Sequence, residues 1–407
     1  MQSSPPDVDP NRDPGRGDVA TTRNAVAVSS RRRTGPGRNR RRGVSRRIIT
    51  TTLVVVLLAS IGAGIDLAEA LAQPSQDSVA ARTAEWARSR GMGGLVNLLE
   101  LAAYDLNPPA SGGEPAGGIP VEARHAATAT GPGTACSMPR LASPAGTPLA
   151  NEGVWQPIEK TGAGDAIVAT FVRPDSQHTR YLAGVTCIRQ DLAAFTLHPG
   201  TQVPGGSGWA QPPTIAGVGA GRLLATFNSG FLMADSHGGF WMDGKASGQL
   251  VKGQASMVFT SDGRLDVRSW EGGTPGVGIS AVRQNLVLLV DNSQITPAVQ
   301  QADSGAFGKT LGDTTFVWRS GIGIRADGSI VTVHGNALSV KTLAQLLQQA
   351  GAVRAMQLDI NRDWTSYIYY RHAGSSLHPK KLTSDQVRPA QRYLQQSTRD
   401  FVAVTRR

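Results

Sequence analysis

An uncharged run from Ile48 to Ile65 (IITTTLVVVLLASIGAGI) divides this chain and constrains its topology more than any other feature. As a helix rising 1.5 Å per residue it would cover about 27 Å, close to the thickness of a bilayer's hydrocarbon core. Two arginine clusters, Arg31-Arg32-Arg33 and Arg40-Arg41-Arg42, and then Arg46-Arg47 stand before it. Arginines flanking a first apolar span hold that flank in the cytoplasm. The reading is therefore a signal anchor over 48–70 in the cell membrane, single-pass, with a cytoplasmic N-terminus and everything after residue 70 outside. Ala70-Leu71-Ala72 also fits a small-x-small cleavage site that would release a secreted chain from Gln73. The long preceding region favours the anchor.

The net charge of +11 invites a nucleic-acid reading until the charge is located. Residues 1–47 hold 12 Arg and 4 Asp, which leaves 29 basic and 26 acidic side chains in the other 360 residues. The body of the protein is nearly balanced, so no nucleic-acid partner is expected. The tail, rich in Pro, Gly, Ser and Arg, cannot bury enough surface to order itself, and it is suited to anionic lipid. Residues 79–106 have apolar positions at helical spacing and read as juxtamembrane helices, with Trp86 and Tyr104 either at the membrane interface or packed on the globular part. Residues 107–153, rich in Pro and Gly, read as a linker. Cys136 and Cys187 are too few for a disulfide scaffold. They form either one disulfide or two unpaired thiols.

From residue 154 to 407 short strands alternate with turns. Residues 166–174 and 181–188 form a first strand pair, followed by 223–227, 256–260 and 265–270. Asp262-Gly263 and Asp327-Gly328 mark hairpins, because Asp-Gly tolerates positive φ. The apolar run 286–291 reads as a buried strand. A helix follows, capped by Ser339 and ended by Gly351, and then a strand over 353–360. The fold class is α+β, a strand-dominated mixed sheet domain with a few helices behind a disordered tail and one transmembrane helix.

Several polar clusters stand at strand exits. Asn228-Ser229-Gly230-Phe231 places hydrogen-bonding groups beside backbone that a ligand can approach, or else forms a plain Asx turn. Gly238-Gly239 and Asp243 belong to a segment mixing flexible backbone, aromatic faces and ionisable groups, which suits a sugar. Arg319 lies inside an apolar strand and needs an anion there: a phosphate, or a structural carboxylate. Asp359-Ile360-Asn361-Arg362-Asp363-Trp364 is the most polar strand exit. Asp359 and Asp363 can serve as an acid/base pair, with Arg362 meeting phosphate, or the segment can be a capping network. No HExxH, CxxC, GxSxG, P-loop or dinucleotide fingerprint stands at a suitable place, so no metal or cofactor is expected, and His237 and His334 read as surface or strand residues.

Together these pieces resemble the phosphodiester glycosidase family, which includes the lysosomal uncovering enzyme that removes N-acetylglucosamine from a sugar phosphodiester. The resemblance covers roughly 154–404. It rests on Asn228-Ser229-Gly230-Phe231, on Gly253-Gln254-Ala255-Ser256, on Arg319-Ser320-Gly321-Ile322-Gly323, and on the helix and strand from Leu343 to Asp359. The arginine-rich tail, the single membrane segment, the Ala84-Glu85-Trp86 helix and His198-Pro199-Gly200-Thr201 resemble an actinobacterial, membrane-anchored branch. The wider family follows Leu-Asp with glycines and serine, whereas bulky residues follow Asp359 here, which alters the pocket. The resemblance implies an envelope hydrolase acting on sugar-1-phosphodiester links in glycopolymers. Asp359, Asn228, Arg319, Asp243 and Asp363 would be its catalytic residues, and Ser229, Gly230, Gly238, Gly239, Asn361 and Arg362 would contact substrate. The rival reading is a non-catalytic module that binds wall glycan or organises the envelope.

Overall fold

The computed structural model describes residues 62–72, 78–96, 98–99, 108–122, 135–301, 307, 316–373 and 376–407. The tail 1–47, most of the proposed anchor and Tyr104 lie outside these residues. Among the described residues no helix is long and apolar enough to cross a membrane.

The chain is strand-rich α+β, and its strand pairings are antiparallel. Sheet one has the order β1-β2-β3-β14-β13-β15-β11-β12. Its strands are β1 (Gln156–Thr161), β2 (Gly164–Val172), β3 (Ala183–Ile188), β11 (Leu288–Asp291), β12 (Gln294–Ile295), β13 (Val317–Arg325), β14 (Ile330–Leu338) and β15 (Ala352–Gln357). Sheet two, β7-β6-β10-β8-β9, uses β6 (Phe240–Met242), β7 (Lys245–Ser247), β8 (Ala255–Thr260), β9 (Leu265–Ser269) and β10 (Ile279–Gln284). Sheet three, β17-β16-β5-β18-β4, uses β4 (Ala193–His198), β5 (Leu223–Asn228), β16 (Tyr367–Ala373), β17 (Ser376–Lys381) and β18 (Phe401–Arg406). The helices that bear on the site and core are α1 (Val79–Ser89), the single turns α2 (Met233–Ser236) and α3 (Pro297–Gln300), and α4 (Val340–Gln349); residues 62–72 and 93–96 are helical as well.

Local chemistry explains the elements that matter most. The Ser339 Oγ accepts the Thr342 N–H at 2.9 Å and starts α4, as the Ser-capped pattern predicts. Leu343, Leu346 and Leu347 then fall on one face and pack on Val331, Val333 and Ala355 of sheet one. The opposite face of that sheet meets sheets two and three in the main core, through Ile322, Ile330 and Met356 against Phe227, Phe259 and Tyr367. β3 is covered on both faces, and all six of its residues are buried. Cys136 and Cys187 are joined in a disulfide. The segment read as a linker is tied down elsewhere too. Glu122 pairs with Arg371, and the buried Glu152 pairs with Arg173.

Candidate active site

β15 ends at Gln357, so Asp359 stands two residues beyond the strand. There the exits of two sheets meet. The Leu358 N–H donates to the Ser320 carbonyl of β13 at 2.8 Å, and the Asp359 N–H donates to the Ser229 carbonyl at 3.0 Å. The Ser229 N–H reaches the Asp400 carbonyl at 3.3 Å, just ahead of β18. Three segments distant in sequence are thus laced through backbone, and their side chains converge: Asn228-Ser229 at the end of β5, Asp359 to Ser366 after β15, and Arg399-Asp400 before β18.

Asp359 is 6% exposed. Burial pushes its carboxyl up to about 6, with Asp400 and Glu85 adding to the rise while Arg399 and the Asn361 N–H oppose it. Asp359 Oδ1 accepts the Asn361 N–H at 2.9 Å, and the Asn361 Oδ1 accepts the Asp363 N–H at 2.8 Å. These consecutive Asx turns explain why bulky residues are accommodated after Asp359. Asp359 Oδ2 lies 3.9 Å from Arg399 Nη1. Trp364, buried, has three guanidiniums about its ring, with Arg388, Arg392 and Arg399 at 4.9, 5.1 and 4.7 Å from the centroid. Arg388 Nε and Arg392 Nη1 donate to the carbonyls of Asp363 and Trp364, respectively. Arg399 Nη2 donates to Glu85 of α1 at 2.7 Å. Asp400 Oδ2 pairs with the fully buried Arg283 at 2.7 Å. Among the described residues no hydrogen-bond partner serves Ser229 Oγ, Asp400 Oδ1, or Arg399 Nε and Nη1. A buried polar atom without a protein partner can be met by a ligand or by water.

The other expected site residues are placed as follows. Asn228 is buried beside Asp359, but its amide is committed to the protein. Its Nδ2 donates to Ser320 Oγ at 2.9 Å, and its Oδ1 accepts the Ser366 N–H at 2.9 Å. A Cβ on Gly230 would come within 3.1 Å of Asn285, so this glycine admits a neighbouring side chain. Asn361 and Asp363 are half-buried in the Asx turns, and Arg362 is exposed. Arg319 faces away from the cluster. Successive strand residues alternate faces, and Ser320 takes the side that bonds the Asp359 carbonyl. Arg319 instead donates to the Leu338 carbonyl at 2.8 Å and to Gln357 Oε1 at 3.1 Å. Asp243 is exposed at the β6–β7 turn of sheet two. It lines a cleft of 170 Å³ with Phe195, Leu197 and Ser280, and none of the Asp359 cluster lines that cleft. Gly238 and Gly239 pack on their own chain: a Cβ would meet Gln254 at 2.4 Å or the Gln249 carbonyl at 2.6 Å. His334 is wholly buried, and burial pushes it down to about 3, so it is neutral.

Arg388, Arg392, Arg399, Asp400 and Glu85 are absent from the sequence expectations. The one available signal was Arg399-Asp400 directly before the apolar strand Phe401–Val404, a polar strand entry matching the polar exits elsewhere. Among the described residues no group of three or more His, Cys, Asp or Glu side chains is arranged to hold a metal.

A family model described as phosphodiester glycosidase matches residues 215–359. The match contains Asn228, Ser229 and Asp359 and stops before Trp364 and the three arginines. No curated protein matches the chain. Among solved structures, a hypothetical protein from Synechocystis is 14% identical, with a TM-score of 0.36, covering 63% of this chain and 65% of that one. This chain therefore spans less than two thirds of that protein. A protein from Burkholderia pseudomallei described as exported is 13% identical, with a TM-score of 0.29, covering 55% of this chain and 74% of that one.

Proposed function

For a chain whose residues 215–359 match a phosphodiester glycosidase family model, we propose an extracytoplasmic hydrolase that cleaves sugar-1-phosphodiester links in envelope glycopolymers, tethered to the membrane by the anchor segment 48–70. The observation that carries this reading is a buried carboxyl poised at about 6 beside an incompletely satisfied guanidinium, Asp359 and Arg399. A carboxyl with that affinity changes protonation near neutral pH, as a general acid or base must. The guanidinium matches phosphate oxygens. The disulfide supports an oxidising compartment.

In the reaction, water adds its oxygen to the anomeric carbon. The bond from that carbon to the phosphoryl oxygen breaks, and its electron pair leaves with the phosphate. Asp359 as carboxylate takes the proton that water loses, and the products are a free sugar and a phosphomonoester. The leaving group is already good, so orientation and charge stabilisation do most of the work. Asn228, through Ser320 and Ser366, holds the Ser229 and Asp359 backbones in place. Asp400 and Glu85 are the carboxylates that act on Asp359 in this arrangement, Asp363 stands in the adjoining Asx turn, and Asp243 stands in another sheet.

The test is hydrolysis in ¹⁸O-labelled water by the full-length chain. The label is expected in the sugar. Label in the phosphate would make the protein a phosphodiesterase. Absence of turnover on a panel of sugar-1-phosphodiesters, with wall glycan still bound, would favour the binding-module reading.

A further inference from the structure

Glu85 is the least explained residue near the site. It lies in the middle of α1, well ahead of the residues 215–359 that match the family model. Only Ala81 and Glu85 of that helix are buried, and the carboxylate is 3% exposed. Its Oε1 accepts from Arg399 Nη2 at 2.7 Å and from Arg88 Nη1 at 3.2 Å. Stability alone does not call for this arrangement. Two charges taken out of water recover little net energy from their attraction, and an apolar side chain would dock the helix as well. What the buried ion pair supplies here is a fixed geometry at one end of Arg399.

That geometry decides how Arg399 meets Asp359. A guanidinium is planar, with its donors in a rigid fork. The Trp364 ring, its centroid 4.7 Å away, restrains one side of the Arg399 guanidinium, and Glu85 grips it through Nη2. Nη1 then stands 3.9 Å from Asp359 Oδ2. The charges act on each other at that distance, but it is too long for a hydrogen bond. Left to itself, an arginine beside a buried carboxylate closes to about 2.8 Å and makes two hydrogen bonds. Here a second carboxylate competes for it. The other charges near Asp359 are committed elsewhere. Asp400 pairs with Arg283 at 2.7 Å, and Arg388 and Arg392 donate to the carbonyls of Asp363 and Trp364. Glu85 and Asp400 push the Asp359 carboxyl up, and Arg399 pulls it down without closing on it.

We propose that Glu85 is a positioning residue of the site: it draws the Arg399 guanidinium toward α1 and off the Asp359 carboxyl, so that Asp359 stays free to take up and give back a proton in the reaction. The reaction rests on the hydrolase reading, whereas the restraint on Arg399 stands without it. In the absence of the Glu85 charge, Arg399 closes on Asp359 and holds it as a carboxylate.

The experiment titrates the full-length chain by its carboxyl ¹³C shifts, with the Asp359 signal assigned from its loss in Asp359→Asn. Wild type is compared with Glu85→Gln, and hydrogen exchange over 79–89 is followed in both. The Asp359 midpoint is expected to fall by about one pH unit in Glu85→Gln, with exchange over 79–89 unchanged. The same replacement in an Arg399→Gln background is expected to move the midpoint much less, because Glu85 acts through Arg399. A midpoint that does not move, or a fall of equal size in the Arg399→Gln background, would overturn the proposal. A fall accompanied by faster exchange over 79–89 would also overturn it and make Glu85 a docking residue only. If Glu85→Gln does not fold, Glu85→Met, uncharged and of similar length, is titrated in its place. Hydrolysis of a sugar-1-phosphodiester is measured on the same proteins. A shifted midpoint with no turnover by wild type would leave the restraint on Arg399 standing and remove the hydrolase reading. Turnover by wild type with the midpoint unmoved would do the reverse.

Discussion

Arg319 and Arg399 are both buried arginines, and their neighbours give them different duties. Arg319 is held by a strand carbonyl and a glutamine on the α4 side of sheet one. Arg399 shares its charge between two carboxylates and keeps donors in reserve. Asp359 bears the cost of this design. Its carboxyl sits at about 6, above its ordinary value, so the folded state retains a proton that the unfolded chain has lost. Its stabilising contribution is complete below about pH 4 and is lost as pH rises through about 6. Asp359→Asn should therefore raise unfolding free energy at pH 7.5 by about 1–3 kcal/mol in urea melts. Unchanged or lower stability would show that the carboxylate is welcome where it sits. At this scale the sequence shows polar strand ends at Asn228, Ser229 and Asp359, and the fold brings these three together. For Arg319, periodicity shows that the residue lies on a strand but not which face it takes, and Ser320 rather than Arg319 stands on the side of Asp359. The sequence was silent for Arg399, because the groups that give Arg399 meaning lie hundreds of residues away at Glu85 or across sheets at Ser229.

The elements follow the same division. Hairpins announced by Asp-Gly form as expected, β8–β9 around Gly263 and β13–β14 around Gly328, both glycines with φ of +80°. The capped helix α4 and the pair β2–β3 are equally legible, since each is decided by neighbours in sequence. Sheet three is not. β5 pairs with β16 and β18, which lie more than a hundred residues later, and no local turn signals that register. The site inherits this opacity because it stands where sheet three meets the exit of sheet one. Cys136 and Cys187, left open by the sequence, join the segment ahead of β1 to the buried β3 across 51 residues. Replacing both by serine should lower stability by about 4 kcal/mol in denaturant melts, since the unfolded chain regains the entropy of an open loop. A loss below about 1 kcal/mol would mean that the segment is held by its other contacts, Glu152 with Arg173 among them.

At the scale of the whole molecule, sheets one and three meet along a seam that carries a buried acid. Glu159 of β1 is 4% exposed and lies 3.8 Å from Arg371 of β16. Burial pushes it up to about 8, against the pull of Arg371 and Arg406 and with some help from Glu122. The folded protein therefore holds a proton on Glu159 across the range from about 4.5 to 8, and stability falls as pH rises through that window. Glu159→Gln should flatten the fall, measured as melting temperature against pH. An unchanged slope would assign the dependence to other groups. The central claim is that the junction of these sheets, at Asp359 and Arg399, is a hydrolytic site. Its most direct test is the rate at which the full-length chain hydrolyses a simple sugar-1-phosphodiester, compared with folded Asp359→Asn and Arg399→Gln. The account predicts turnover by wild type and a loss of about 10²–10⁴-fold in each variant. Wild-type rates in folded Asp359→Asn would contradict it.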